Sequence, residues 1–302
     1  MKDIGYKLLK GLLTLVACMP LGVLYVFSDF IFLLIYYVVR YRRKLVAANL
    51  RACFPDRSDA ELRVIAQKFY RNFADYVVET LKLLHISDDE MSRRMTFDGL
   101  DIIDGLLKSG KSVVLYFSHC GNWEWAPSMT LHAAVPPGDK VEYCQVYRPL
   151  KNKTFDRLML DIRGRFGSLS FPKKTVLRDL IVMRREDIRS CTGFMSDQKP
   201  SHGDPTFVTE FLNRPTAFIS GTEHLAARLG FAVAYWDMEK ISRGHYHLTC
   251  RLIADDASAL KPGEATRAYA SMLEQTILRN PSIWLWTHNR WKIPVKLPQE
   301  QQ

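Results

Sequence analysis

A chain of 302 residues, 47% apolar and 25% charged, has the balance of a folded protein with a sizeable core, which excludes a disordered chain and a small disulfide-held scaffold. Its formal charge of +10 points to an acidic partner: nucleic acid, an anionic membrane face, a phosphorylated substrate or an acidic carrier protein. Six cysteines, at 18, 53, 120, 144, 191 and 250, contain no CxxC pair, so a zinc framework is excluded and reduced thiols facing a cytoplasm are expected.

The N-terminus is the first element. Gly11 to Ser28 carries no charge, and after Asp29 the apolar run resumes through Val39. Lys2, Lys7 and Lys10 precede it, and Arg40, Arg42, Arg43 and Lys44 close it. A membrane span needs roughly 20 apolar residues, so one tilted transmembrane helix fits. Two shorter segments dipping into one leaflet fit as well, because Pro20 would kink or break a helix and Asp29 would be costly in mid-bilayer. In either case the basic cluster belongs on the cytoplasmic side. A cleaved signal is disfavoured, since the apolar "MPLGVLYVF" follows the lipoprotein-like "LVAC". A buried core helix is the remaining alternative.

Residues 45 to 95 read as helices. After a turn at Phe54-Pro55-Asp56, Ser58 or Asp59 is the expected N-cap, and apolar residues recur at 62, 65, 69, 73, 76, 77 and 81 with near-helical spacing, the mark of a core-facing stripe. From Phe97 onward the pattern alternates. Strand-like runs at 112–117, 141–147, 188–195, 231–238 and 246–253 are separated mostly by helix-like stretches at 122–133, 153–165, 174–185, 217–229 and 264–279. Strands alternating with helices predict an α/β fold with a largely parallel or mixed sheet. No repeat or Pro/Ser-rich linker divides the chain, so a single domain behind an N-terminal anchor is the expected organisation.

The stretch "SHCGNWEW", residues 118 to 125, follows the first of these strands. On one continuous helix His119 and Glu124 would lie about 140° apart and could not meet. With His119 at a strand end, a turn through Cys120-Gly121 and a helix starting near Asn122, they can. Gly121 supplies a permissive backbone, Asn122 is a good N-cap, and the helix dipole favours an ionised Glu124. That arrangement suits a base and its orienter: a carboxylate fixes one ring nitrogen while the other takes a proton from a hydroxyl. Backbone N–H groups near Gly121 and Asn122 are the expected oxyanion donors. The alternative is a histidine satisfied by backbone at a strand end. Cys120 as a nucleophile is disfavoured because adjacent strand residues face opposite ways, and a metal site from His119, Glu124 and His132 lacks ligand spacing. No G-x-S-x-G elbow, Walker loop or GxGxxG motif occurs.

Several motifs then fall in order along the chain: "NLRACFP", "HCGNWE" after a strand, "YRP" at 147–149, "RGRFG" at 163–167, "SDQ" at 196–198, "FLNRPTAF" at 211–218 and "PSIWLWTHNRWK" near the end. Together they resemble the late acyltransferases of lipid A biosynthesis, the lauroyl/myristoyl-type family with its H-x4-E signature, over nearly the whole chain. The resemblance implies the α/β architecture of glycerolipid acyltransferases, a mixed sheet flanked by helices. It also implies an inner-membrane enzyme of a Gram-negative bacterium, its catalytic domain facing the cytoplasm, that moves a fatty acyl group from acyl carrier protein onto a hydroxyl of a lipid A precursor. The donor is thus a thioester substrate, and no metal or other cofactor is expected. By motif, His119 would be the base and Glu124 its partner, Arg163 the functional arginine and Asp197 the acidic residue after a later strand. Cys120 and Gly121 are smaller than the residues at these places in some relatives.

The residues themselves add to this. Arg148, Arg163 and Arg165 suit bidentate contact with phosphate or carboxylate groups, and Lys151, Lys153, Lys173, Lys174, Arg184 and Arg185 suit an acidic carrier or anionic head groups, the alternative being solvated helix faces. Asp197 has the alternative of a turn residue. Trp284, Trp286 and Trp291 read equally as an interfacial belt, an acyl-pocket lining or core. The expected division is an anchor over 1–44 and an acyltransferase domain over 45–302, with a helical lead-in at 45–95 and an α/β core at 96–302. Another membrane glycolipid or aminolipid acceptor is the enzymatic alternative. A membrane-anchored binder of nucleic acid or anionic lipid explains the charge but not the acid–base pair, and no nucleic-acid module is recognisable, so nucleic acid is not an expected partner.

Overall fold

The computed structural model describes residues 2–138 and 140–298. Helix α1 (Lys2–Ala17) and helix α2 (Leu21–Leu33) are separated at Met19-Pro20, and a π-helical turn, Leu34–Val38, extends α2. Proline at the break is expected, since it cannot donate to the preceding turn. Helix α3 (Arg43–Cys53) leads into helix α4 (Asp59–Lys82). Ser58 caps α4 as expected and forms a full capping box with Glu61. Its buried stripe runs through Leu62, Ile65, Phe69, Tyr70, Ala74 and Val78, while Val77 faces out. The expected stripe is therefore displaced at its far end, because 3.6 residues per turn carries the face from 74 to 78.

Helix α5 (Asp88–Arg94) precedes strand β1 (Met95–Asp98), helix α6 (Leu100–Lys108), strand β2 (Val113–Phe117) and a 3-10 helix, Trp123–Leu131. Strand β3 (Val141–Tyr147), helix α7 (Lys153–Arg163), strand β4 (Leu169–Pro172), helix α8 (Val176–Arg185) and strand β5 (Arg189–Met195) follow. Strands β6 (Thr206–Phe211) and β7 (Arg214–Ile219) form a separate hairpin, then come helix α9 (Gly221–Leu229), strands β8 (Ala232–Ser242) and β9 (His245–Ala254), and helix α10 (Glu264–Arg279).

The fold is thus mixed α/β, as the alternation predicts. Its main sheet has seven strands in the order β1-β9-β8-β2-β5-β3-β4, parallel throughout except for the antiparallel β8–β9 pair. Helix α10 packs through Tyr269 on Tyr116 and Tyr235 on one face. On the other face His132, just past the 3-10 helix, packs on Phe97, which in turn packs on Trp236. The stretch 122–133, expected to be an α-helix, is 3-10 because Pro127 stands within it.

The hairpin was not expected, and its signal is faint. Both turn residues, Leu212 and Asn213, have positive φ, as a tight two-residue hairpin requires, and of the two only asparagine is at home there.

Helices α1 and α2 are docked on the rest of the chain. Buried Lys82 donates to the carbonyls of Ala17 and Met19 at 3.0 Å each. Ser28 donates to Asp75 at 2.7 Å, and Asp29 pairs with Arg243 at 2.8 Å. Leu21–Val38 is the one stretch among the described residues long and apolar enough to cross a membrane. The other side of this pair remains open: Ile4, Leu8, Leu12 and Leu15 on α1, with Val26 and Phe30 on α2, are all more than half exposed.

Candidate active site

Strands β2 and β5 are parallel neighbours, with Phe117 opposite Met195 at their C-terminal ends. Two residues past each end stand His119 and Asp197, so the sheet brings together groups 78 positions apart. Loops at the carboxyl ends of parallel strands are where open α/β sheets place their ligands. His119 Nδ1 is 2.7 Å from Asp197 Oδ1, and the His119 backbone N–H donates to Asp197 Oδ2 at 3.1 Å. Asp197 Oδ2 also accepts the indole N–H of Trp284 at 2.9 Å. Burial pushes the Asp197 carboxyl up, but the neighbouring histidine ring and these three donors outweigh it and hold the group below its ordinary range.

An ionised Asp197 fixes the proton of His119 on Nδ1 and leaves Nε2 as the basic nitrogen. The Gln198 amide nitrogen sits 3.1 Å from Nε2 and donates to it. His119 is thus held with Nε2 as an acceptor beside a cavity of about 1600 Å³ that it helps to line.

This pairing corrects the expectation that Glu124 orients His119. The Glu124 carboxylate is held bidentately by Arg163, at 2.9 and 2.7 Å. The 3-10 geometry of the segment directs Glu124 there, and its capping premise also fails: Asn122 makes no cap, and its side chain donates instead to Glu79 at 2.9 Å. Glu124 and Arg163 both line the cavity. Burial opposes the Arg163 charge, but the carboxylate holds it above its ordinary value.

The remaining expected groups divide. Arg148 lines the exposed mouth of the cavity with Lys173, Lys174 and Lys199. Arg165 does not reach it: its guanidinium donates to the Ile86 carbonyl at 3.1 Å and to Asp88 at 2.8 Å. The Gly121 N–H, expected as an oxyanion donor, is taken by the Ile283 carbonyl at 2.9 Å. Cys120 is fully buried, and burial pushes its thiol far up, which removes it as a nucleophile. His132 packs on Phe97, and among the described residues no three His, Cys, Asp or Glu side chains gather as metal ligands.

Four contributors escaped the sequence reading. Trp284 holds Asp197, as above, and Leu285 N–H donates to the His119 carbonyl at 3.1 Å, so the aromatic C-terminal run braces the loop. Trp284 and Trp286 are therefore buried packing, with Trp291 half-buried beside them. Gln198 carries no signal of its own beyond the "SDQ" motif. His288 lines the cavity and accepts the Lys199 N–H at 3.1 Å.

Glu79 is the fourth. Fully buried on α4, it accepts from Asn122, from Tyr246 at 2.9 Å and from Tyr25 at 3.0 Å, while its carbonyl takes the Trp125 indole N–H at 3.0 Å. Its sequence signal was the recurrence of Asp75, Glu79 and Lys82 at helical spacing, three charges on a buried face.

A histidine–carboxylate pair at the carboxyl ends of parallel strands, beside an apolar cavity with a basic mouth, is a candidate for acid–base chemistry on an amphiphilic substrate. The family comparison gives that class its particular form. Residues 3–293 match the bacterial lipid A biosynthesis acyltransferase family, and the chain belongs to it. It is an acyltransferase. The chain is 23% identical over 283 residues to the lipid A biosynthesis lauroyltransferase of Escherichia coli K12, covering 93% of this chain and 89% of that one. It is also 23% identical over 163 residues to the E. coli K12 lipid A biosynthesis myristoyltransferase, 54% of this chain and 48% of the relative. Over 147 residues it is 20% identical to lipid A biosynthesis acyltransferase 2 of Shigella flexneri, 49% and 45% of the two chains.

Proposed function

We propose that the protein transfers a fatty acyl group from an acyl carrier protein thioester to a hydroxyl of a lipid A precursor, with His119 as general base and Asp197 as its orienting partner. The observation that carries this reading is the Asp197–His119 pair beside the cavity, with the ring's Nε2 held only by the Gln198 amide.

In the proposed step the acceptor hydroxyl takes the place of the Gln198 N–H at Nε2. As the hydroxyl oxygen bonds to the thioester carbonyl carbon, its proton passes to His119, and ionised Asp197 stabilises the imidazolium. The carbon–sulfur bond then breaks, and the thiolate leaves with the proton held by His119. Such a base contributes about 10²–10⁴-fold. Gln198, displaced from the ring, then supplies an amide donor for the developing oxyanion. Family membership supports the lipid A acceptor, and the basic mouth suits both an acidic carrier and a phosphorylated glycolipid.

In this reading the enzyme sits on the cytoplasmic face of the inner membrane of a Gram-negative bacterium. The open apolar side of α1 and α2 lies in one leaflet, in the manner of an interfacial helix pair, and Asp29 keeps its Arg243 partner on the protein side. Residues 1–44 then act as a docked anchor for the acyltransferase domain over 45–302.

Mass spectrometry of lipid A and of the whole lipid extract, from cells carrying the native chain or only His119→Ala, tests the proposal. Loss of one secondary acyl chain from lipid A is expected in the variant. An unchanged lipid A with another lipid losing its acyl group would move the acceptor. No change in any lipid, with folded protein present, would overturn the reading.

A further inference from the structure

Gly193 stands in the middle of β5, hydrogen-bonded on one side to β2, where it is opposite Leu115, and on the other to β3, where it is opposite Gln145. A glycine inside a central strand weakens it, and it marks a bulge, a bend or a close approach of backbone or ligand. The first three do not apply. The pairing runs in register through Gly193 on both sides, and its φ lies outside the left-handed region that favours glycine. A Cβ built there would meet only the Cys144 carbonyl oxygen, at 3.7 Å, an ordinary contact. Nothing in the protein requires glycine at this place.

What remains is the ligand. Gly193 lines the same cavity as His119 and is partly exposed between two buried neighbours, Thr192 and Phe194. Registered partners on parallel strands share a face, so its missing side chain leaves a gap in the row formed with Leu115 and Gln145. Around that row the cavity wall is Ala126, Met129, Tyr143, Cys191 and Trp236, apolar over most of its surface. By strand rise, Gly193 lies about 7 Å below the end of β5 and Cys191 about 13 Å below it. The cavity therefore continues past the glycine, away from the base.

We propose that Gly193 is a specificity-determining residue: the transferred acyl chain runs from the carbonyl at His119 down this cavity and across the Gly193 backbone, and the absence of a side chain there admits the longer chains. The inference rests on the acyl-transfer reading and adds to it the depth at which chain length is sensed. A side chain at 193 closes the lower part of the cavity and leaves the upper part, next to the base, unchanged.

The test uses the full chain in detergent micelles, with Gly193→Ala, Gly193→Val and Gly193→Leu. Each is assayed with a graded series of straight-chain acyl carrier thioesters and, separately, for direct binding of the matching free fatty acids. One methylene in a hydrophobic pocket is worth about 10–200-fold in kcat/KM. Gly193→Leu should thus lower the ratio of kcat/KM for the longest over the shortest accepted donor by at least about tenfold, with Gly193→Ala intermediate and the shortest donor unaffected. The fatty acid bound most tightly should shorten in the same order. Melting temperatures should stay level or rise, since glycine inside a strand costs more backbone entropy than any of the three replacements.

An equal loss for all chain lengths with a lowered melting temperature would make Gly193 a packing residue and overturn the inference. So would a change confined to the acceptor's own acyl chains. If the unsubstituted protein transferred no acyl group, the functional reading would fall, and the binding series would decide this one by itself: a shortened optimum in Gly193→Leu supports it, and an unchanged optimum overturns it.

Discussion

At the scale of single residues, two histidines line the same cavity in different surroundings. His119 is supported by an ionised carboxylate, whereas His288 loses its charge to burial, which holds its imidazole down at about 4 from an ordinary 6.5, against the pull of Asp197. Its Nε2 must stay unprotonated to accept the Lys199 N–H. The consequence for stability has a definite sign. Between pH 6.5 and about 4 the unfolded chain protonates His288 and the folded chain does not, so the unfolded state binds more protons and stability falls as pH drops through that window. Below it the contribution levels off, and above it there is none. His288→Gln keeps an acceptor but cannot titrate. Melting curves from pH 7.5 down to pH 4 (roughly the range over which histidine responds) should show a shallower loss for the variant, and parallel curves would contradict the assignment.

At the scale of elements, the 3-10 segment Trp123–Leu131 and the end of α7 are joined by the Glu124–Arg163 pair. Glu124 is 4% exposed and Arg163 22% exposed at their side chains. Removing one partner of a buried pair leaves the other uncompensated and costs about 3–5 kcal/mol, the lower end applying to the more open arginine. Glu124→Ala and Arg163→Ala should each lower stability by about that amount in denaturant unfolding. The double variant should lose less than the sum, with a coupling of at least about 1 kcal/mol. Additive losses would show that the two groups act independently.

The elements also show what a sequence can and cannot disclose. Strand β3 and helix α10 lie where the pattern put them, 141–147 and 264–279, because long apolar periodicity and its boundaries are local properties. Strands β1 and β4, four residues each, escaped because so short a run carries no periodicity. The partner of His119 escaped for another reason. A pair within five residues is visible along the chain, but the pair across β2 and β5 depends on which strands are neighbours, and that is decided by the packing of the whole sheet. The histidine could be picked out from its place at a strand end, whereas its carboxylate could be assigned only once the strand order was known.

At the scale of the whole molecule, charge and apolar surface are segregated. Helices α1 and α2 present Leu8, Leu12, Leu15 and Phe30 outward, while Arg148, Lys173, Lys174 and Lys199 surround the cavity mouth. If the apolar side seats the enzyme in a leaflet, replacing Leu8, Leu12 and Leu15 by serine should release it from vesicles without unfolding it. Each fully buried leucine contributes about 1.5–3 kcal/mol, so flotation with anionic vesicles should show at least a tenfold weaker partition. Unchanged partition would place the membrane contact elsewhere on the surface.

The proposed role of Asp197 is to hold His119 as the base for acyl transfer. The most direct measurement is kcat for acyl transfer by purified Asp197→Asn beside His119→Ala, with circular dichroism confirming the fold of each. The asparagine keeps the shape but supplies no carboxylate to fix the Nδ1 proton or stabilise the imidazolium. His119→Ala should lose about 10²–10⁴-fold, and Asp197→Asn should fall to a comparable level with KM little changed. An Asp197→Asn protein that turns over like the native enzyme would contradict that role.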